Sequence, residues 1–173
     1  MSEYKCDACG SGLDEYGRLI PPKSPDGYLN PALASDVGVV RYVDDKLQIL
    51  LIRRGEEPSK GLLAFPGGFV DYNENPEHAA IRELSEECGI VGTNPILIDL
   101  RGNPLRDPRK HVVSAFYYVH VDERQVVVAG DDASSADYYS VEELLDNPDW
   151  FGFDHYPMLE TLLDWIKKNP SLV

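Results

Sequence analysis

The stretch from residue 66 to residue 89 constrains this chain more than any other. Asn75 is a good N-cap, Pro76 suits a first helical position, Glu77 puts a carboxylate in the first turn and Gly89 is a natural stop. The spacing therefore predicts a helix over 76–88. Ala80, Leu84 and Cys88 recur in steps of four and form its apolar stripe, while Glu83, Glu86 and Glu87 stand at i, i+3 and i+4 and put three carboxylates on another face. Like charges at that spacing weaken a helix, and Arg82 can neutralise only part of the cluster. An acidic helix face is ordinarily a solvated one. Here the surroundings point elsewhere: oxygen ligands on a rigid element suit a hard divalent cation such as Mg²⁺, and Gly67-Gly68 lets a backbone carbonyl approach the same place.

Around this helix the periodicity predicts strands at 36–42 and 47–53, separated by the turn-like Asp44-Asp45, and a short strand at 62–65. Further strands are expected at 96–100, 111–121, 125–128 and 137–140, with a loop over 129–135. Helices are expected at 141–146 and 156–168, the latter with an apolar stripe through Met158, Leu159, Leu162, Leu163 and Trp165-Ile166. That mixed order implies an α/β (α+β) sandwich in which helices cover a curved sheet. Residues 1–30, with Pro21-Pro22 and Pro25-Asp26-Gly27 as turn signals, read as an N-terminal extension, and 31–173 as the folded domain.

Charge narrows the function. Sixteen Lys and Arg against thirty Asp and Glu give −14, which argues against nucleic acid or anionic lipid as a partner. Such a chain can handle phosphates only through metal cations or by gathering its few basic residues at one place. Arg101, Arg106, Arg109 and Lys110 put four of the sixteen within ten positions, and Arg54 is a further candidate for a phosphate. The alternative for the cluster is pairing with Asp99 and Asp107, and both readings stand at this level. Phe65, Tyr117 and Tyr118 could stack on a base, although aromatics on strands are more often core. The longest aliphatic run, 49–52, is far too short to span a membrane, and three cysteines form no disulfide framework, so a reducing, cytoplasmic protein is expected. Cys6 and Cys9 look like half of a zinc ribbon, but with only Cys88 remaining, no closed zinc site is expected.

Residues 68–90 fit the pattern G-x5-E-x7-R-E-U-x-E-E-x-G-U, with U aliphatic, at every position: Gly68, Glu74, Arg82, Glu83, Leu84, Glu86, Glu87, Gly89 and Ile90. A chance match in a chain of this length is on the order of one in ten million, which makes the signal specific. The chain resembles a Nudix hydrolase over about residues 31–168. The resemblance implies an α/β/α sandwich with a catalytic loop-helix-loop and hydrolysis of a nucleoside diphosphate linked to another moiety. It also implies that Glu83, Glu86 and Glu87, with the Gly67 carbonyl, hold Mg²⁺ or Mn²⁺, that Glu74 is structural, and that Arg82 orients the glutamates.

Residues 50–55, 61–70, 102–109 and 130–133 resemble the ADP-ribose pyrophosphatase-like subgroup, and Pro104 stands fourteen residues past Ile90, near the place of a proline that marks ADP-ribose hydrolysis. The implied reaction is cleavage of ADP-ribose, or a related nucleoside diphosphate derivative, to AMP and ribose 5-phosphate, with Arg54, Arg106 and Arg109 on the substrate. Asp131 or Asp132, in a loop beside Gly130, is a candidate catalytic base, the alternative being ordinary turn chemistry; Asp132 is the choice made here. Two other readings are a hydrolase of noncanonical nucleoside triphosphates and a non-catalytic ADP-ribose-sensing regulatory domain. The intact glutamates, and the lack of a helix-turn-helix pattern after the core, argue against the sensor. Family analogy also allows a homodimer.

Overall fold

A period of two runs through the two most apolar stretches of the chain. Ile49 and Leu51 join one buried cluster and Leu50 and Ile52 another; in the same way Phe116 and Tyr118 separate from Ala115, Tyr117 and Val119. Strands buried on both faces must be covered on both faces. That requirement generates the layered sandwich expected from the sequence.

The computed structural model describes residues 12–20, 27–130 and 133–173. In chain order it contains β1 (Gly12–Leu13), β2 (Leu19–Ile20), β3 (Ala32–Gly38), β4 (Val40–Val43), β5 (Lys46–Arg54), β6 (Leu63–Ala64), β7 (Gly67–Phe69) and α1 (Pro76–Cys88). There follow β8 (Gly92–Arg101), β9 (Val112–Val121), β10 (Ala133–Ser140), α2 (Val141–Asp146), a 3₁₀ turn (Pro148–Trp150) and α3 (His155–Lys168). One four-stranded sheet has the order β7-β3-β9-β8, in which β3 and β9 are parallel and the other pairs antiparallel. The other runs β10-β5-β4, with β6 also pairing β5. The stripe Ala80, Leu84 and Cys88 of α1 closes one core with Val37, Leu50, Ile52 and Tyr117. Leu144 of α2 and Met158, Leu159, Leu162 and Ile166 of α3 close the second against Ile49, Leu51, Phe65 and Phe116. No helix of the described residues is long and apolar enough to cross a membrane.

Two expected elements differ. The single strand over 36–42 is two strands in different sheets: the Val37 amide donates to Pro66 O, whereas Val39 O accepts from Leu50 N. Both halves are apolar, so periodicity carries no mark of the crossover at Val39. The segment 125–128 is not a strand. The Val128 amide donates to Cys88 O and the Gly130 amide to Glu87 O, both at 2.9 Å, so its donors satisfy carbonyls at the α1 C-terminus rather than a sheet. Gln125 completes the docking by accepting from Val91 N and donating to Val91 O. The apolar residues of 125–128 suggested a ladder because a β-rich composition does not say where its donors go. The connection after β9 therefore begins at Asp122, ahead of the expected 129, and β10 begins at Ala133, ahead of the expected 137.

The N-terminal hairpin β1–β2 pairs Gly12 with Ile20 and Leu13 with Leu19. Cys6 and Cys9, and the loop aspartates Asp131 and Asp132, lie outside the described residues.

Candidate active site

Helix α1 begins where its sequence says. The Asn75 side chain accepts from the Glu77 amide at 3.1 Å, and Gly89 ends the helix at φ 67°. Its first turn is tied to the sheet by the Ser35 hydroxyl, which donates to Pro76 O at 2.8 Å. The buried stripe then fixes the helix rotation, so the glutamate face is directed at β7 and the Gly67-Gly68 turn. The approach is close: a methyl carbon placed on Gly68 would stand 2.4 Å from Glu83 Oε1, and one on Gly67 2.6 Å from Asp36 Oδ1. On the far side, a methyl carbon on Gly130 would stand 1.7 Å from Glu86 O. At Gly67 and Gly130 a side chain would meet backbone, and at Gly68 it would fit only if the Glu83 carboxylate moved.

Arg82 organises the cluster. Its Nε and Nη2 donate to the two Glu74 oxygens at 2.9 Å, its Nη1 to Glu83 at 2.6 Å and Glu86 at 2.9 Å, and its Nη2 also to Phe69 O at 3.0 Å. This is the fixed guanidinium fork at work. Hydrogen bonds from Arg82 hold the Glu74 carboxyl down at about 2. Burial pushes Glu83 up despite Arg82, and pushes Glu87 up to about 8 although its Oε2 accepts from the Gly67 amide at 2.8 Å; Glu83 and Asp36 add repulsion at Glu87. Glu86 is 58% exposed.

Among the described residues no three His, Cys, Asp or Glu side chains are gathered closely enough to enclose a metal ion. The reason is visible: Arg82 holds Glu83 and Glu86, and Glu87 is turned to the Gly67 amide. The donor set nonetheless suits a hard cation. Glu83 and Glu87 are carboxylates whose burial disfavours their charge, a cost that a divalent ion relieves, and Glu86 stands accessible beside them.

In front of Gly67-Gly68 opens a cleft lined by Asp36, Arg54, Phe69, Arg106, Asp107, Arg109, Phe153 and His155. The basic residues play unequal parts. Arg106 has a side chain only 7% exposed, chelates Asp154 at 2.7 and 3.1 Å and lies 3.5 Å from Asp36. Burial opposes its charge, yet the Asp154 and Asp36 carboxylates raise its affinity for the proton. It is a wall of the cleft rather than a free grip. Arg109, 46% exposed, is positioned by Asp107, which accepts from its backbone amide at 2.8 Å, Nε at 3.1 Å and Nη2 at 2.7 Å. Arg54 is held below its ordinary range by burial and then by the like charge of Arg109, with Glu87 acting the other way. Two guanidiniums facing one cleft invite an anion between them. Arg101 points away, pairing with Asp99 at 2.6 Å and reaching Pro157 O at 3.1 Å on α3. The cluster thus divides: the alternative of carboxylate pairing holds for Arg101, Arg106 and Arg109, and of these Arg109 keeps substantial exposure beside the cleft.

Phe65, Tyr117 and Tyr118 are core residues, none more than 6% exposed; Phe65 packs on Phe116 at 4.8 Å. The aromatic rings at the cleft are Phe69 and Phe153, which the sequence reading passed over. Lys110 Nζ lies 4.1 Å from the Phe69 ring centre, and Arg54 4.9 Å from that of Phe153. Also missed were Asp36, buried in β3 and accepting from the Ser114 hydroxyl, and His155. His155 Nδ1 accepts from the Phe65 amide at 3.2 Å, and burial holds its imidazole below the ordinary range. A lone aspartate inside the apolar run 34–40 was the available signal for Asp36, since a strand core tolerates such a charge only with partners.

The chain matches the model of the NUDIX domain over residues 32–162. It is 38% identical over 138 residues to an ADP-ribose pyrophosphatase of Methanocaldococcus jannaschii, across 80% of this chain and 76% of that one. Among solved structures, the NUDIX domain of Shewanella oneidensis NrtR complexed with ADP ribose superposes with a TM-score of 0.74 at 26% identity, over 83% of this chain and 93% of that one. A bifunctional NMN adenylyltransferase/ADP ribose pyrophosphatase from Francisella tularensis, complexed with AMP and a Mn ion, gives a TM-score of 0.67 at 27% identity, over 82% of this chain and 43% of that one.

Proposed function

The chain belongs to the Nudix family, and from that premise we propose that it hydrolyses the diphosphate bond of ADP-ribose, or of a closely related nucleoside diphosphate derivative, to AMP and ribose 5-phosphate. The observation that carries this reading is the cleft in front of Gly67-Gly68: Arg54 and Arg109 line it, and Glu83 and Glu87 lie directly against the two glycines that form its wall. An internal diphosphate needs both, cations at the bridging phosphates and basic donors at their flanks.

Glu83, Glu86, Glu87 and the Gly67 carbonyl would hold Mg²⁺ or Mn²⁺. Such an ion would supply charge neutralisation for the diphosphate and would lower the pKa of water, favouring hydroxide as the nucleophile. The protein does the rest. Arg82 keeps Glu83 and Glu86 in place through the Glu74 anchor, and Gly68 leaves room for the Glu83 carboxylate. Arg109, fixed by Asp107, and Arg54 grip phosphate oxygens that stay charged throughout, so they contribute mainly to binding. Arg106 acts through the Asp36 and Asp154 contacts that shape the wall. Phe69 and Phe153 offer apolar faces to the nucleoside. The proton acceptor is assigned to Asp132, two positions after Gly130 in the sequence.

A pure sensor needs no intact set of Glu83, Glu86 and Glu87, which favours the hydrolase over the regulatory reading. The net charge of −14 disfavours nucleic acid as a ligand, and a reducing cytoplasm suits Cys88, a buried free thiol. A homodimer is carried forward from family analogy, with sedimentation as its test.

A substrate panel with Mg²⁺, following AMP release, decides the substrate. ADP-ribose should exceed a nucleoside triphosphate at least tenfold in kcat/KM, which requires only about 1.4 kcal/mol of differential transition-state binding. A triphosphate, a dinucleotide or another nucleotide sugar in first place would keep the chemistry and overturn the substrate.

A further inference from the structure

The loop over 102–111 carries Asp107 and Arg109 without regular secondary structure, so contacts from outside add to its own turn bonds at Asn103 and Asp107 in holding its shape. The N-terminal hairpin supplies such contacts. Its turn is closed by Asp14, whose Oδ1 accepts from the Tyr16 and Arg18 amides at 2.9 Å and whose Oδ2 accepts from Arg18 Nε at 2.7 Å and Nη2 at 2.6 Å. That uses one edge of the guanidinium and leaves Nη1 to face outward. Nη1 donates to Pro104 O and, at 3.4 Å, to Asp107 O, eighty-six and eighty-nine residues along the chain. The Arg18 side chain is only 9% exposed. A hairpin with two residues per strand has no stability of its own, so the hairpin and the loop order each other.

From this connectivity we infer that Arg18 is a positioning residue for substrate binding: it holds the backbone of the loop, the Asp107 carboxylate holds Arg109, and Arg109 is thereby presented to the cleft. The inference rests on the proposed role of Arg109 at the substrate. Arg18 touches neither the glutamates nor the space in front of Gly67-Gly68, so its removal changes where Arg109 sits and leaves the hydrolytic machinery intact. The fork is essential, because one guanidinium must serve the Asp14 carboxylate and two carbonyls at once. A lysine places a single ammonium where two edges are needed.

Kinetics of the full-length protein and hydrogen–deuterium exchange test this together. Arg18→Ala should raise KM for ADP-ribose about tenfold with kcat within twofold of the parent, and Arg18→Lys should recover only part of the loss. In an Arg109→Ala background, Arg18→Ala should add less than a twofold change, because the residue through which it acts is gone. Amide exchange over 102–111 should rise in Arg18→Ala while that of α1 is unchanged. Equal KM values, or full additivity with Arg109→Ala, would overturn the inference. So would unchanged loop exchange, which reads the brace without any substrate. If the parent protein turns over a different nucleotide instead, the substrate assignment falls, and the exchange result with KM for that nucleotide still decides the role of Arg18.

Discussion

Glu87→Gln separates the electrostatics of the glutamate face from its shape. Gln is nearly isosteric and its Oε1 can still accept from the Gly67 amide, so the variant removes a buried charge and keeps the hydrogen bond. In the folded, metal-free protein burial lifts the Glu87 carboxyl from 4.5 to about 8. The native state therefore binds more protons than the unfolded chain between those values, and stability falls as pH rises through the window. At about 1.4 kcal/mol for each tenfold change in proton affinity, the loss is at most roughly 5 kcal/mol, and local relaxation reduces it to about 2–5 kcal/mol. In a chain of this size that is a fall in Tm on the order of 10 °C between pH 5 and pH 8. His155 works in the opposite direction, since its lowered folded value makes the native state the poorer proton binder below 6.5. It is common to both proteins and cancels in their difference. Thermal unfolding in EDTA at four pH values should show the decline in wild type and a much flatter profile in the variant. Mg²⁺ at pH 8 should restore wild type, because it binds the carboxylate that burial penalises, and should do little for the variant. Equal slopes in the two proteins would refute the account of Glu87 as a buried carboxyl awaiting a cation.

Chelation should abolish hydrolysis, and Mg²⁺ or Mn²⁺ should restore it; full turnover in excess EDTA would remove the metal from the mechanism. Gly68→Ala drives a methyl into Glu83 Oε1 and should lower kcat at least tenfold with a smaller effect on Tm, as measured by steady-state kinetics beside thermal melts. Arg82→Lys cannot span Glu74, Glu83, Glu86 and Phe69 O together, so kcat should drop by about 10²-fold, equivalent to about 3 kcal/mol of barrier; near-normal turnover would show that the glutamates need no orienting arginine. His155→Leu leaves the buried Phe65 amide without its acceptor and should cost about 1–3 kcal/mol in denaturant unfolding, whereas a variant as stable as wild type would mean the amide finds another partner.

What the chain states by itself is local. The Asn75 cap, the Pro76 start, the Gly89 stop and the four-residue stripe all belong to one helix, and a helix is made by residues close in sequence; its boundaries came out as 76–88 both ways. The glutamate spacing is local for the same reason, whereas the approach of Gly67-Gly68 to those glutamates is a contact between β7 and α1. Unbroken apolar runs such as 49–52 were legible as buried strand, but the division of their alternate residues between two cores came only with the structure. The tertiary structure alone decided everything that depends on hydrogen bonds between distant segments. It sent 36–38 and 40–43 into different sheets, turned 125–128 from an apparent strand into a cover for the end of α1, and gave three arginines different surroundings: Arg101 paired with Asp99 in β8, Arg106 buried against Asp154, and Arg109 half exposed beside Asp107. It also brought Asp36, Phe69, Phe153 and His155 to one cleft and set Arg18 against a loop almost ninety residues away. Periodicity reports which side of an element is apolar; it carries no information about which distant donor meets which acceptor, and in this protein those meetings determine which charges remain free to bind.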